Sequence, residues 1–342
     1  MSTDPILGSI DPWSPSEADL KQAARALRAA RVPALAFSAP AHVDLSTRET
    51  VPLLAVAASP TDAPIDVAAG VLVAVRLEGN QVAAATWREW KEEPPVAVPP
   101  PRPGEIVGFV ATPFQADLRR RLPALPWRPG HLVVRLLVGD RVTEPERVEL
   151  SAGAVGEDPD VRTFVEWAQS QQGPSSLPLE NPLPMDHHRD EWTPDVPAEP
   201  GIALTLQRVS LAREEDQLLL RGAYNLPMRA AELVPPGSPG SVDAQGRQIA
   251  ARFNLALVLV GHDSPGPSVL PLRIEARAFG RDLLDGRPCA AGQFRCDLFG
   301  HPDMPRVLQR YSVYAFSGEH MTGPLALTLI SEHLVPLRDD QV

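Results

Sequence analysis

The chain has 342 residues, of which 44% are apolar and 22% charged, with a net charge of −11. This composition is globular, neither disordered nor membrane-embedded. The longest apolar runs, such as Val71–Val75 and Leu255–Val260, are far too short to cross a bilayer as helices. Residues 151–200 hold ten acidic and two basic side chains, which leaves the rest nearly neutral. The clustered cationic surface that nucleic acid or anionic lipid demands is missing, so neither nucleic acid nor membrane is expected as a partner.

The opening segment MSTDPILGSIDPW has no basic start followed by a long apolar run, so it does not read as a secretory signal and a cytoplasmic location is expected. Residues 14–31 read as a helix: Ser14-Pro15-Ser16-Glu17 has the form of a capping box, Leu20, Ala23, Ala24 and Leu27 share one face, and Pro33 ends it. From 34 to 150 the pattern becomes strand-like. Ala34–Phe37, Val51–Ala58, Val71–Leu77, Val82–Trp87, Ile106–Ala111, Leu132–Val138 and Arg147–Leu150 are short, Val-rich and mostly bounded by turn residues. Gly79-Asn80 predicts a hairpin turn. Pro94–Pro103 reads as a polyproline-like connection or edge, and Gln115–Leu122 as a short inserted helix.

A second helix is expected from Asp158 to about Gln172, closed by Gly173 and Pro174, followed by an acidic, Pro-rich linker to residue 200. The strand grammar then resumes over 201–338, with Ile202–Gln207, Gln217–Ala223, Ile249–Val260, Val269–Phe279, Gln293–Leu298, Arg310–Phe316 and Leu325–Ser331. Ile249–Val260 is long and unbroken, which suits a central or bulged strand. Pro235–Gly246 reads as a loop, and Pro305–Gln309 as a helical turn answering Gln115–Leu122.

Val43–Ala58 lies ungapped on Val209–Tyr224, with Val43/Val209, Leu45/Leu211, Glu49/Glu215, Leu53/Leu219, Leu54/Leu220 and Ala57/Ala223 identical. The expected fold is therefore mainly β. Two tandem β-sandwich domains (34–150 and 201–338) arise from an internal duplication, preceded by a helical segment (1–33) and joined by a helix and acidic linker (151–200).

Three of the four internal methionines lie beside histidine: Met185-Asp186-His187-His188, His301-Pro302-Asp303-Met304 and His320-Met321. Thioether with imidazole suits Cu(I), so His301, Met304, His320 and Met321 form the candidate metal set, weighed against methionine as core filler. Zinc at His187/His188 has no ordered ligand spacing behind it. Cys289 and Cys296, with six residues between them, fit no CxxC pattern and are expected as free thiols. No GxSxG elbow and no phosphate-cradling loop occurs, and Arg119-Arg120-Arg121 reads as a solvated face. Trp87 and Trp90 flank a charged stretch that could bind a carbohydrate, although one ring of such a pair more often closes a core. The expected function is a non-catalytic binding or assembly protein with a protein partner or self-assembly. The alternatives are a copper-binding protein or copper-dependent oxidase accessory, and a carbohydrate-binding or carbohydrate-processing protein.

Overall fold

The computed structural model describes residues 7, 10–30, 33–87, 108–139, 141–152, 193–211, 215–229, 232–242, 246–263, 266–276, 279–284 and 287–329. Pro94–Pro103, the expected helix from Asp158, the Met185–His188 cluster and Trp90 lie outside them. The fold is mainly β, with four open sheets among the described residues, and divides into two compact units, Met1–Trp167 and Ala168–Val342.

The first unit opens with helix α1 (Glu17–Ala30). Its cap is Ser16, whose hydroxyl accepts from the Asp19 backbone N–H at 3.1 Å. The helix thus starts later than Ser14, because Ser14 is still engaged in a turn closed on the Asp11 carbonyl. Strands β1 (Ala34–Ser38), β3 (Pro52–Pro60) and β6 (Phe109–Asp117) form one antiparallel sheet. The other sheet runs in the order β2 (His42–Asp44), β9 (Glu146–Ser151), β7 (Gly130–Val138), β4 (Val71–Arg76) and β5 (Gln81–Thr86), with β8 (Arg141–Val142) beside β7. The Gly79-Asn80 hairpin is present, and both residues have positive φ. Helix α2 covers only Leu118–Arg121, since Gln115–Asp117 still pair with β3.

The second unit has β10 (Gly201–Leu211), β11 (Glu215–Pro227), β15 (Arg287–Asp297) and β14 (Phe279–Leu284) in one sheet, in that order. The other sheet is β13 (Ser268–Ala276), β12 (Ala251–Gly261), β16 (Arg310–Ser317) and β17 (His320–Thr328). The long strand β12 is central, as its unbroken apolar run implied. The stretch expected as one strand ending at Phe279 is two, β13 and β14. The helical turn answering α2 is Leu298–Gly300, whereas Pro305–Gln309 takes no regular structure.

Two strand orders match: β1-β3-β6 with β10-β11-β15, and β5-β4-β7-β9 with β13-β12-β16-β17. The junction after β6 and β15 matches atom by atom. Asp117 Oδ1 accepts from the N–H groups of Val51 and Arg119 at 2.9 and 3.0 Å. Asp297 Oδ1 accepts from Leu218 and Phe299 at 2.9 and 3.1 Å. Each aspartate ties the start of one strand to a helical turn and caps that turn. The sequence around them repeats as Phe114-Gln115-Ala116-Asp117-Leu118 and Phe294-Arg295-Cys296-Asp297-Leu298.

With these aspartates as anchors, Pro52 answers Leu219 and Leu53 answers Leu220, because Pro52 pairs with Asp117 and Leu219 with Asp297. The ungapped alignment that sets Leu53 against Leu219 is therefore displaced by one residue. In a strand that slip exchanges the two faces. Burial follows the aspartate register: Leu53, Ala55 and Ala57 enter the core between the sheets, as do Leu218, Leu220 and Tyr224 in the second unit. Gly222 faces Phe294 so closely that an added Cβ would overlap the ring, which is why glycine stands where the first unit has Ala55.

Candidate functional site

His301 and Met304 follow the second helical turn. His301 is buried; its Nδ1 accepts from the Asp303 N–H at 3.1 Å, and its Nε2 lies 3.3 Å from the Pro271 carbonyl. These partners assign the proton to Nε2 and occupy both ring nitrogens. Met304 is buried in the core. Their first-unit counterparts are leucines: Leu122-Pro123-Ala124-Leu125-Pro126 occupies the turn that His301-Pro302-Asp303-Met304-Pro305 occupies. In each, the residue before the second proline bonds back three residues, Leu125 N–H to Leu122 O and Met304 N–H to His301 O, both 3.1 Å.

His320 and Met321 open β17, opposite Ser317 and Phe316. Pro271 pairs with Ala256, Ala256 with Phe316 and Phe316 with Met321, so His301 and Met321 stand near opposite edges of one sheet. Three strand spacings separate those edges, roughly 14 Å. The two His/Met pairs are not brought together, and among the described residues no three His, Cys, Asp or Glu side chains gather in a metal-holding group.

Cys289 and Cys296 are free and buried, seven residues apart on β15. That separation is about 24 Å along a strand, far beyond a disulfide. Burial, and then Asp297, push the Cys296 thiol up to about 12. Neither sulfur is expected to react with a thiol reagent in the native protein, and both should react after denaturation. Titration with Ellman's reagent with and without guanidinium checks this, and one fast native thiol would contradict it.

Trp87 is buried and meets Phe37 edge-on, with ring centroids 6.5 Å apart. Trp127 donates from Nε1 to the Leu122 carbonyl at 3.1 Å and lies near the Arg119 guanidinium. Both rings hold the first unit together.

Two polar constellations were not visible in the sequence, since their members come from distant strands. His42 Nε2 lies 3.1 Å from Ser151 Oγ, and His42 Nδ1 lies 3.6 Å from Glu149 Oε2. The order resembles nucleophile, base and orienting acid. The His42 and Glu149 side chains are 55% and 58% exposed, however, so water solvates both and the acid does not hold the ring rigidly.

The second constellation is buried. Arg76 continues the core-facing row of Leu72 and Ala74, and its side chain is 1% exposed. Its Nη1 donates to the carbonyls of Pro126 and Arg128, each at 3.0 Å, and its Nη2 to that of Pro129. Glu78 approaches Nη2 at 3.6 Å and accepts from the backbone N–H and Nδ1 of His131, each at 3.0 Å. Burial pulls the Arg76 pKa down, with Glu78 opposing. For Glu78, burial alone would raise the carboxyl, but the His131 hydrogen bonds and Arg76 outweigh it and the net shift is downward. A depressed carboxyl stabilises the fold above its unfolded value of about 4.3, and that contribution disappears as pH falls through the folded value. The stability gap between wild type and Glu78→Gln should therefore be widest near neutrality and close in acid. Urea titrations across the acid range test this, and a pH-independent gap would refute it.

The outer faces of the two matching sheets differ in what covers them. On β1-β3-β6, Leu54, Val56 and Ala58 meet Ala23 and Leu27 of α1. The same positions of β11 are Arg221, Ala223 and Asn225, all buried. This polar face carries the extended segment 193–200: Asn225 Nδ2 donates to the carbonyls of Pro197 and Ala198 at 3.1 and 3.3 Å, and Gln293 Nε2 to that of Pro194 at 2.8 Å. An apolar stripe takes an amphipathic helix, and an amide-bearing stripe takes bare backbone carbonyls. This pair of covered faces is the candidate binding site.

Fold and site thus define a mainly β chain of two units whose sheets hold segments on their outer faces. No protein-family model matches the chain, and no curated protein is significantly similar to it. No described helix is long and apolar enough to cross a membrane.

Proposed function

We propose that the chain is a non-catalytic binding or assembly protein, built by duplication of a β-sandwich module and presenting sheet faces, edges and loops to protein partners. One observation carries this reading: equivalent sheet faces dock two chemically different segments, α1 in the first unit and residues 193–200 in the second. A module that accepts a helix in one copy and an extended segment in the other is a docking surface whose specificity resides in a few outward side chains. Matching strand orders and the paired Asp117 and Asp297 junctions support the duplication. What the two units share at atomic detail is fold-holding, while His42, Glu149 and Ser151 occur once and in solvent. Two buried free thiols suit a reducing cytoplasm.

Light scattering and native mass spectrometry provide the test. A defined homo-oligomer or a stoichiometric protein complex is expected. A strictly monomeric chain that carries no partner overturns the proposal.

A further inference from the structure

The segment covering the second unit has a spacing of its own, with Pro194, Pro197 and Pro200 at every third position of TPDVPAEP. Three residues is the repeat of the polyproline II helix, which forms no internal hydrogen bonds and leaves its carbonyls available. Carbonyls three residues apart project from the same edge of such a helix. Pro194 and Pro197 are one such pair, and they accept from Gln293 and Asn225 respectively.

Gln293 and Asn225 stand on neighbouring strands, opposite Ala223 and Ala291, and the fully buried Ala223 leaves a low floor beside them. Arg221 and Arg295 are paired in the next row of the same face, adding positive charge, while the segment contributes Asp195 and Glu199. The face thus combines amide donors at a proline-repeat spacing with charge of the sign opposite to its occupant. Recognition of proline-rich segments elsewhere relies on the same preformed, donor-poor backbone.

Resting on the docking function proposed above, we infer that the outer face of β10-β11-β15 is a site for extended segments with proline at every third position. Its occupant in trans is the 193–200 segment of a second copy of this chain, exchanged reciprocally. The ligand that the face already holds is encoded in the chain, so each copy carries both site and ligand. Exchange reproduces in trans the bonds made in cis, which is the low-cost route to a dimer. The segment runs directly into β10 at Gly201, so the exchange hinges at the start of that strand.

The test uses the full chain and a fluorescein-labelled TPDVPAEP peptide followed by anisotropy. With Pro194→Ser, Pro197→Ser and Pro200→Ser combined, the intramolecular segment ceases to compete. The probe should then bind at least about tenfold tighter than to wild type, because a tethered competitor acts at millimolar effective concentration. Adding Gln293→Ala should abolish most of that gain. Equal binding to both chains, or binding indifferent to Gln293→Ala, overturns the site.

Light scattering across a wide concentration range decides the occupant. A wild-type dimer that both the triple-serine chain and Gln293→Ala alone weaken supports exchange. A dimer that persists in those variants, or a wild-type monomer that holds a different protein, overturns exchange while leaving the docking function standing.

Discussion

Replacing Arg76 with methionine is expected to lower the unfolding free energy of the first unit by about 3–5 kcal/mol, the usual cost of removing one partner from a buried charged network. Methionine preserves most of the volume, so the loss reports the hydrogen bonds. Three carbonyls, those of Pro126, Arg128 and Pro129, lose their donor together, and Glu78 loses its nearby cation. Arg76→Lys should recover only part of the loss, since one ammonium cannot span the three acceptors that a planar guanidinium reaches.

The aromatic residues separate the two units in the measurement. All three tyrosines, Tyr224, Tyr311 and Tyr314, belong to the second unit, and five of the six tryptophans, Trp13, Trp87, Trp90, Trp127 and Trp167, to the first; Trp192, in the second, is replaced by phenylalanine in every chain measured. Urea unfolding followed by tryptophan fluorescence should shift, and the tyrosine signal should not. A tryptophan midpoint that moves by less than about 1 kcal/mol equivalent would show that the 126–130 loop is held by other contacts. In the second unit, Tyr311 Oη donates to the Val307 carbonyl at 2.8 Å and accepts from Gln309 Nε2 at 3.1 Å.

The second large effect concerns the two aspartates. Asp117→Ala and Asp297→Ala should each cost about 2–4 kcal/mol, since each leaves two backbone N–H groups without an acceptor and strips a helical turn of its cap. Each loss should appear in one unit only, Asp117 in the tryptophan signal and Asp297 in the tyrosine signal. Asparagine retains a side-chain carbonyl oxygen in place, so Asp→Asn is expected to cost under about 1 kcal/mol. If either alanine variant unfolds with an unchanged midpoint, the shared junction is not a structural keystone of the module.

The alternating Val-rich runs were sufficient to mark most strands, because a half-buried strand imposes a period of two on its own sequence. The ends of elements were less legible. Gln115–Asp117 has helical character, yet the ladder to β3 claims it, and Asp117 postpones the helix by one residue past itself. The local likeness was visible but displaced by one residue, since setting Leu53-Leu54 on Leu219-Leu220 gives two identities where the aspartate register keeps one, Leu53 on Leu220. Only burial tells which leucine of each pair faces the core. A better signal lay at Phe114-x-x-Asp117-Leu118 and Phe294-x-x-Asp297-Leu298, followed in each unit by two prolines three residues apart.

That same signal explains the histidine and methionine company at 301 and 304. They occupy the places of Leu122 and Leu125, so their closeness along the chain reflects a tight turn whose second apolar residue enters the core. Adjacency in sequence says nothing about whether two such turns meet.

By itself, then, the sequence determined the β character and the approximate extents of two strand-rich regions, because periodic burial and turn residues are written locally. Tertiary structure alone decided which face of each strand is inner, that Arg76 seals the end of a core, and that an amide-lined sheet holds the prolines of 194–200. Those features depend on groups far apart along the chain, whose meeting follows from strand register and sheet pairing rather than from any local pattern.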